Sequence, residues 1–198
     1  MGSIFVGNGA QTQAVAVGSR SGATNAFAHD VNVLAATNSD GVTGTPGDNG
    51  RFAQLGFQVS NGVGLDGTNL GALPAVNGGI TVHARNNLAA TGGNDFLNYA
   101  QVGHVGADQD VSAVLEANAT SLIEISTGNN IEFRGGTGVD AYAQLGQGGT
   151  RARGNFGGAT TVTTANDLIF TGGTGESTYA QFGNGGDSTR GDHSGARP

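Results

Sequence analysis

Hydrophobic residues along this chain alternate with polar ones in short runs and show no helical spacing. Ile80/Val82, Ile123/Ile125 and Thr160/Val162 each open a segment of period two, the pattern of a half-buried β-strand. A polar pair follows each one, Asn86-Asn87, Asn129-Asn130 and Asn166-Asp167. Such residues tolerate left-handed backbone and bond their own main chain in turns. A second alternating segment carries Leu88/Ala90, Ile131/Phe133 and Leu168/Phe170. It stops at Gly92-Gly93, Gly135-Gly136 and Gly172-Gly173, where a positive φ is unstrained.

A third segment is a phrase found four times: Phe52-Ala53-Gln54-Leu55-Gly56, Tyr99-Ala100-Gln101-Val102-Gly103, Tyr142-Ala143-Gln144-Leu145-Gly146 and Tyr179-Ala180-Gln181-Phe182-Gly183. Extended upstream and downstream, the blocks Ile80 to Gly106, Ile123 to Gly149 and Thr160 to Gly186 align without a gap. All variation in length therefore lies in 60–79, 107–122 and 150–159. Three strands and three turns per block predict an all-β fold, one coil of a triangular parallel β-helix for each repeat unit. Equivalent side chains would stack at about 4.8 Å. A degenerate unit fits 26–59, with Leu34/Ala36 in its second strand and inserted residues around Val42 to Gly47. Phe5-Val6-Gly7-Asn8-Gly9 matches Gln181-Phe182-Gly183-Asn184-Gly185, which predicts a partial coil over 3–10 ending in a third strand. The units are thus 26–59, 80–106, 123–149 and 160–186, with a tail at 187–198, forming about five coils and a rod of roughly 25 Å. Starting and ending mid-pattern without polar caps predicts a piece of a longer solenoid.

Composition agrees. Of 198 residues, 38 are glycine and only 36% are hydrophobic, which disfavours helices, since glycine in a helix interior costs about 1 kcal/mol against alanine. With 3 prolines and no every-third-residue glycine period, a collagen triple helix is excluded. The net charge of −7, with arginine as the only cation, argues against a nucleic-acid partner, because neutralising phosphates needs a basic face. Cysteine is absent, so disulfide, zinc-thiolate and cysteine-nucleophile chemistry are excluded. No apolar run approaches the roughly 20 residues needed to span a bilayer. The start Met1-Gly2-Ser3-Ile4 lacks a basic region followed by an apolar one, so either any export signal lies on a larger precursor or the chain is an expressed fragment whose first residues were added.

Where Asn130-Ile131-Glu132-Phe133-Arg134-Gly135-Gly136 leads into Tyr142-Ala143-Gln144-Leu145-Gly146-Gln147-Gly148-Gly149, the chain resembles filamentous-haemagglutinin-like exoproteins, secreted by the two-partner or autotransporter routes. The resemblance covers nearly the whole chain. It implies a right-handed parallel β-helix, a secreted protein of the cell surface or extracellular matrix, and a role in bacterial adhesion, aggregation or biofilm. It carries over no catalytic residue.

Several motifs invite a chemical reading. Gly135 to Ala143 satisfies the calcium-binding nonapeptide of toxin-type repeats, with Asp140 as the calcium candidate, but its counterparts are Leu97 and Ser177 and a plain glycine turn explains it as well. Arg190-Gly191-Asp192 is the tripeptide that integrins recognise, and its counterpart Arg153-Gly154-Asn155 explains it by common descent. His29, His83, His104 and His193 share no metal-ligand spacing. Paired carboxylates for glycoside cleavage are not in evidence: Glu124, Glu132, Asp140 and Asp167 align with uncharged residues, and Asp108 and Asp110 fall in a loop. The column Phe52, Tyr99, Tyr142 and Tyr179 has two readings. Pointing out, it is a stripe for stacking on sugars, with Gln54, Gln101, Gln144 and Gln181 as an amide ladder; pointing in, it is a buried stack. Both faces of that strand are partly apolar, so periodicity leaves the choice open.

The expected function is a structural or adhesive scaffold with no catalytic residue or cofactor, whose partners are surface glycans or proteins. A self-assembling filament subunit, pairing end to end with copies of itself, is the alternative. A polysaccharide-binding or polysaccharide-degrading β-helix comes third.

Overall fold

The computed structural model describes residues 1–7, 9, 14–37, 50–59, 75–107 and 117–193. The description is all-β: these residues contain no helix. Among the described residues, sixteen short strands follow in chain order. They are β1 (Ile4–Val6), β2 (Val15–Val17), β3 (Thr24–Ala28), β4 (Val31–Leu34), β5 (Ala53–Leu55), β6 (Ala75–Val76), β7 (Ile80–Ala84) and β8 (Leu88–Thr91). The rest are β9 (Ala100–Val102), β10 (Asn118–Ala119), β11 (Ile123–Thr127), β12 (Ile131–Arg134), β13 (Ala143–Leu145), β14 (Thr160–Thr164), β15 (Leu168–Thr171) and β16 (Ala180–Phe182).

Every pairing between named strands is parallel, and the strands fall into three main sheets. First strands of the repeats form β14-β11-β7-β3, second strands form β1-β4-β8-β12-β15, and third strands form β16-β13-β9-β5-β2. A small sheet pairs β10 with β6 in the connections. Each repeat thus contributes one strand to each main sheet, and the repeats lie on one another as tiers. Ile80, Ile123 and Thr160 share one column, as do Val82, Ile125 and Val162.

Inward residues of all three sheets meet in one core. Val33, Val82, Leu88, Ile131, Phe133 and Leu145 are fully buried there. Alternation fixes which residues enter: β7 and β11 bury their first, third and fifth positions and leave the others partly or fully exposed. At the turn between first and second strands, an Asn/Asp column ties the tiers. Asn87 Oδ1 accepts from the Asn130 main-chain N–H (3.1 Å) and from Asn129 Nδ2 (3.0 Å), and Asn130 Oδ1 accepts from the Asp167 N–H (3.1 Å).

Two registers differ from those expected. The first complete tier opens at Thr24, opposite Ile80, and its second strand buries Val31 and Val33 opposite Leu88 and Ala90; Leu34 instead faces Thr91. One residue of this three-residue shift comes from a shorter turn, and the other two come from a first strand that opens at Thr24 in place of Ala26. Only His29-Asp30 separate β3 from β4, where Arg85-Asn86-Asn87 separate β7 from β8. Asp30 Oδ1 then fills the Asn role, accepting from Asn86 Nδ2 (2.9 Å) and the Asn87 N–H (3.2 Å). The segment Ile4–Val6 joins the second-strand sheet, with Val6 opposite Val33, and not the third-strand sheet expected from its match to 181–185. The third-strand place below β5 belongs to Val15–Val17, whose own alternation puts Val15 and Val17 opposite Ala53 and Leu55. The insertion at Val42 to Gly47 lies outside the described residues, as do Asn8 and Ala10 of the expected partial coil and residues 194–198 of the tail.

Candidate functional site

The third-strand sheet carries the densest cluster of polar and aromatic side chains, because it is buried on both faces. All three residues of β5, β9 and β13 are buried. Alternation sends Ala53/Leu55, Ala100/Val102 and Ala143/Leu145 into the aliphatic core. The Gln and the preceding aromatic take the opposite face, where the glycine-rich segment after each strand folds over them. A methyl group placed on Gly106, Gly149 or Gly186 would lie 2.2, 2.4 or 2.7 Å from the hydroxyl of Tyr99, Tyr142 or Tyr179. Only glycine lets the backbone lie so close to those rings.

Phe52, Tyr99, Tyr142 and Tyr179 stack ring on ring, with centroids 4.6, 4.7 and 4.8 Å apart and planes within 7°. Tyr99 and Tyr142 are fully buried, Phe52 is 4% exposed and Tyr179 is half-buried. The column points away from the aliphatic core yet lies beneath the glycine-rich segments that follow the third strands, so it offers no exposed stripe for a sugar ring. Burial drives the Tyr142 and Tyr179 hydroxyls well above the ordinary tyrosine range.

The glutamines form no side-chain amide ladder. Gln54 Nε2 donates to the Gly103 carbonyl (2.8 Å). Gln101 Nε2 donates to Gly146 O (2.9 Å) and Gly148 O (2.7 Å), and Gln144 Nε2 to Gly183 O (3.2 Å) and Gly185 O (2.7 Å). Each glutamine therefore holds the glycine loop of the next tier. In the last tier, Gln181 Nε2 turns to its own loop at Asn184 O. Tyr99 donates to Gln58 Oε1 (2.7 Å) and lies 3.2 Å from Gln54 Oε1. One tier on, Val105 replaces Gln58, and the Tyr142 hydroxyl has no hydrogen-bond partner of good geometry, with the Thr150 main chain close by.

A column that periodicity did not single out lies directly after the closing glycine, at Phe57, His104, Gln147 and Asn184. Each polar side chain in it accepts the main-chain N–H of its counterpart in the tier before. Phe57 N–H bonds His104 Nδ1 (2.8 Å), His104 N–H bonds Gln147 Oε1 (2.8 Å), and Gln147 N–H bonds Asn184 Oδ1 (3.0 Å). The far side of two of these side chains reaches the end of the connection that leads into its own tier: His104 Nε2 to Gly78 O (2.6 Å), and Gln147 Nε2 to Ser121 O (3.3 Å) and Ser121 Oγ (3.0 Å). Burial pushes the His104 imidazole below its ordinary range, against the opposing effect of the Gly78 carbonyl. The legible signal was a polar residue after the same glycine in Gly103-His104, Gly146-Gln147 and Gly183-Asn184.

The remaining candidates are scattered. Asp140 is buried at φ 55°, matching Leu97 and Ser177 at 55° and 53°. Burial raises its pKa, and Arg151, 3.4 Å away, pulls the other way. A calcium ion would share the carboxylate with a guanidinium, and no group of three or more His, Cys, Asp or Glu among the described residues is arranged to hold a metal. Arg190-Gly191-Asp192 is exposed but is no projecting tip. Its backbone lies on Arg153-Gly154-Asn155, with Gly154 N–H on Arg190 O, Phe156 N–H on Asp192 O and Asp192 N–H on Asn155 Oδ1. His29 pairs with Asp30, His83 stacks on Phe27 and His193 on Phe156.

A shallow groove of about 220 Å³ runs over the second-strand sheet, lined among others by Asp30, Asn32, Asn130 and Glu132. Its two carboxylates are already engaged, Asp30 by His29, Ser3 and Asn86 and Glu132 by Arg134. The His29 bond and further hydrogen bonds hold Asp30 down to about 2, so it stays ionised and supplies no general acid near neutrality. Asp167 is the next member of the turn column that borders this groove, its N–H on Asn130 Oδ1; Glu124 lies on β11 in another sheet, and Asp108 and Asp110 lie outside the described residues. Among the described residues, no helix is long and apolar enough to cross a membrane. No protein-family model, curated protein or solved structure matches the chain.

Proposed function

We propose that this chain is a segment of a right-handed parallel β-helix of about five triangular coils, acting as a stiff structural and adhesive scaffold of a secreted bacterial surface or biofilm-matrix protein. The observation that carries the reading is the in-register stacking: the same residue of each repeat lies above its counterpart in all three sheets, around one continuous core. The right-handed sense is supported by the strong bias of parallel crossover connections. Stiffness is supported by side chains that bond from tier to tier, the Asn column on one side and the Gln and His columns on another. The resemblance to filamentous-haemagglutinin-like exoproteins supports secretion and adhesion. The reading assigns no catalytic residue.

Adhesion is tested with the purified chain coupled to beads and flowed over glycan-coated and protein-coated surfaces. Retention above that of uncoated beads is expected on at least one surface. Uniform failure by a correctly folded chain reduces the role to that of a spacer.

End-to-end self-assembly is a second reading, supported by the state of the outermost tiers. Inward residues that are buried in the middle tiers are open there: Val17 is 50% exposed on one side, and Leu168 and Phe182 are 40% and 47% exposed on the other. Among the described residues, β14, β15 and β16 each end a sheet with no partner strand on one edge. Such edges template pairing with another chain. Concentration-dependent filaments in electron microscopy favour this reading, and a concentration-independent monomer in sedimentation removes it.

A further inference from the structure

We propose that His104 is an acid-released latch clamping both ends of the connection between one repeat and the next. The connection runs from the end of β5 to the start of β7. His104, from the following tier, grips Phe57 at one end and Gly78 at the other.

The chemistry of these two bonds leaves the ring one protonation state. The Phe57 main-chain N–H can only donate, so Nδ1 must carry a lone pair. The Gly78 carbonyl can only accept, so Nε2 must carry the proton. A neutral Nε2–H imidazole satisfies both partners. An imidazolium satisfies only Gly78, because its Nδ1–H would point at the Phe57 N–H and leave that donor buried and unpaired.

Among the described residues, no carboxylate acts on the ring. The segments meeting the ring, 56–59, 77–79 and 146–149, contain no ionisable side chain. Gln101, whose amide reaches the His104 carbonyl, is neutral. The charged residue on the layer beneath Gly78 is Arg20, whose carbonyl accepts the Gly78 N–H and whose Nε binds Ala75 O. Tyr99, on β9's approach, is packed in the aromatic column.

The next tier shows what a latch without a titration looks like. Gln147 accepts the His104 N–H and donates to Ser121, clamping the two ends of the following connection in the same way. An amide does not change charge with pH, so the two clamps share a geometry and differ in their response to acid. The burial that depresses the His104 pKa makes the neutral form the folded one. Its contribution is complete above the unfolded value near 6.5 and is lost as pH falls from there through the lower folded value.

The test is amide hydrogen exchange on the folded chain between about pH 7.5 and pH 5, corrected for intrinsic exchange. Protection at Phe57 should fall tenfold for each unit by which the pKa is depressed, while the Phe133 amide in the core keeps its protection. In His104→Gln, built on the Gln147 pattern, the acid-induced loss should disappear. Nitrogen chemical shifts of the wild-type ring give a readout free of any folding defect in the variant. They should report an Nε2–H tautomer that persists below the ordinary histidine value. A ring that titrates at or above that value, or a Phe57 amide whose protection does not depend on pH, overturns the proposal. So does an unchanged acid response in His104→Gln.

Discussion

The third-strand sheet buries two faces by unlike means. On the inner face, Ala143, Leu145 and their counterparts pack in an aliphatic core that needs volume and alternation and nothing else. On the outer face, Tyr142 and Gln144 sit beneath a glycine loop, and burial there requires hydrogen bonds, ring stacking and backbone without a Cβ. The inner face tolerates substitution that conserves size, whereas the outer face is specified atom by atom. Substitutions on either side of β13 therefore probe different physics.

The largest effect is expected where both faces depend on one residue. Gly146 has φ +145°, and a Cβ there would lie 2.0 Å from the Gly183 carbonyl oxygen, so Gly146→Ala should cost at least about 3 kcal/mol in urea unfolding. Leu145→Ala removes only inner-face volume and should cost about 2–5 kcal/mol by the same measurement, scaling with the cavity it leaves.

Alkali attacks the outer face alone. Because burial raises the Tyr142 and Tyr179 pKa values, their neutral forms stabilise the fold fully below the unfolded value near 10, and that contribution is lost as pH rises through the folded values. Unfolding followed by circular dichroism should therefore coincide with a late, cooperative rise in tyrosinate absorbance. A gradual rise beginning at the ordinary value, with the fold intact, would mean that the outer face is open to solvent.

The finest distinction lies within the column itself. Tyr99→Phe deletes a donor to Gln58 and should cost about 1 kcal/mol, while Tyr142→Phe deletes a hydroxyl with no well-placed partner and should be neutral or stabilising by up to about 1 kcal/mol. Thermal melts of the two variants, compared side by side, test this; equal losses would show that the tiers share one hydroxyl environment.

Much of this architecture is legible in the repeated phrase. The gap-free blocks from Ile80, Ile123 and Thr160 identify the strands and their vertical register, because a strand's two-residue period and a parallel stack leave one alignment that keeps apolar residues together. Where the repeat decays, the reading slips. The opening of the first strand at Thr24 and the missing residue in the His29-Asp30 turn together moved the second strand from Leu34/Ala36 to Val31/Val33, and a five-residue match drew Phe5-Val6-Gly7 toward the third-strand sheet when Val15–Val17 belongs there. Short apolar runs are interchangeable between sheets, and only the neighbouring tiers select among them.

The amino-acid sequence by itself determined an all-β chain of parallel, in-register repeats, since alternation, Asn turns and paired glycines are local properties of the backbone and side chains. Tertiary structure alone decided the fate of the aromatic and glutamine columns and the grip of His104. Those depend on how the glycine-rich segments fold back over the third-strand sheet and on where Gly78 lies, through contacts between segments that no period along the chain encodes.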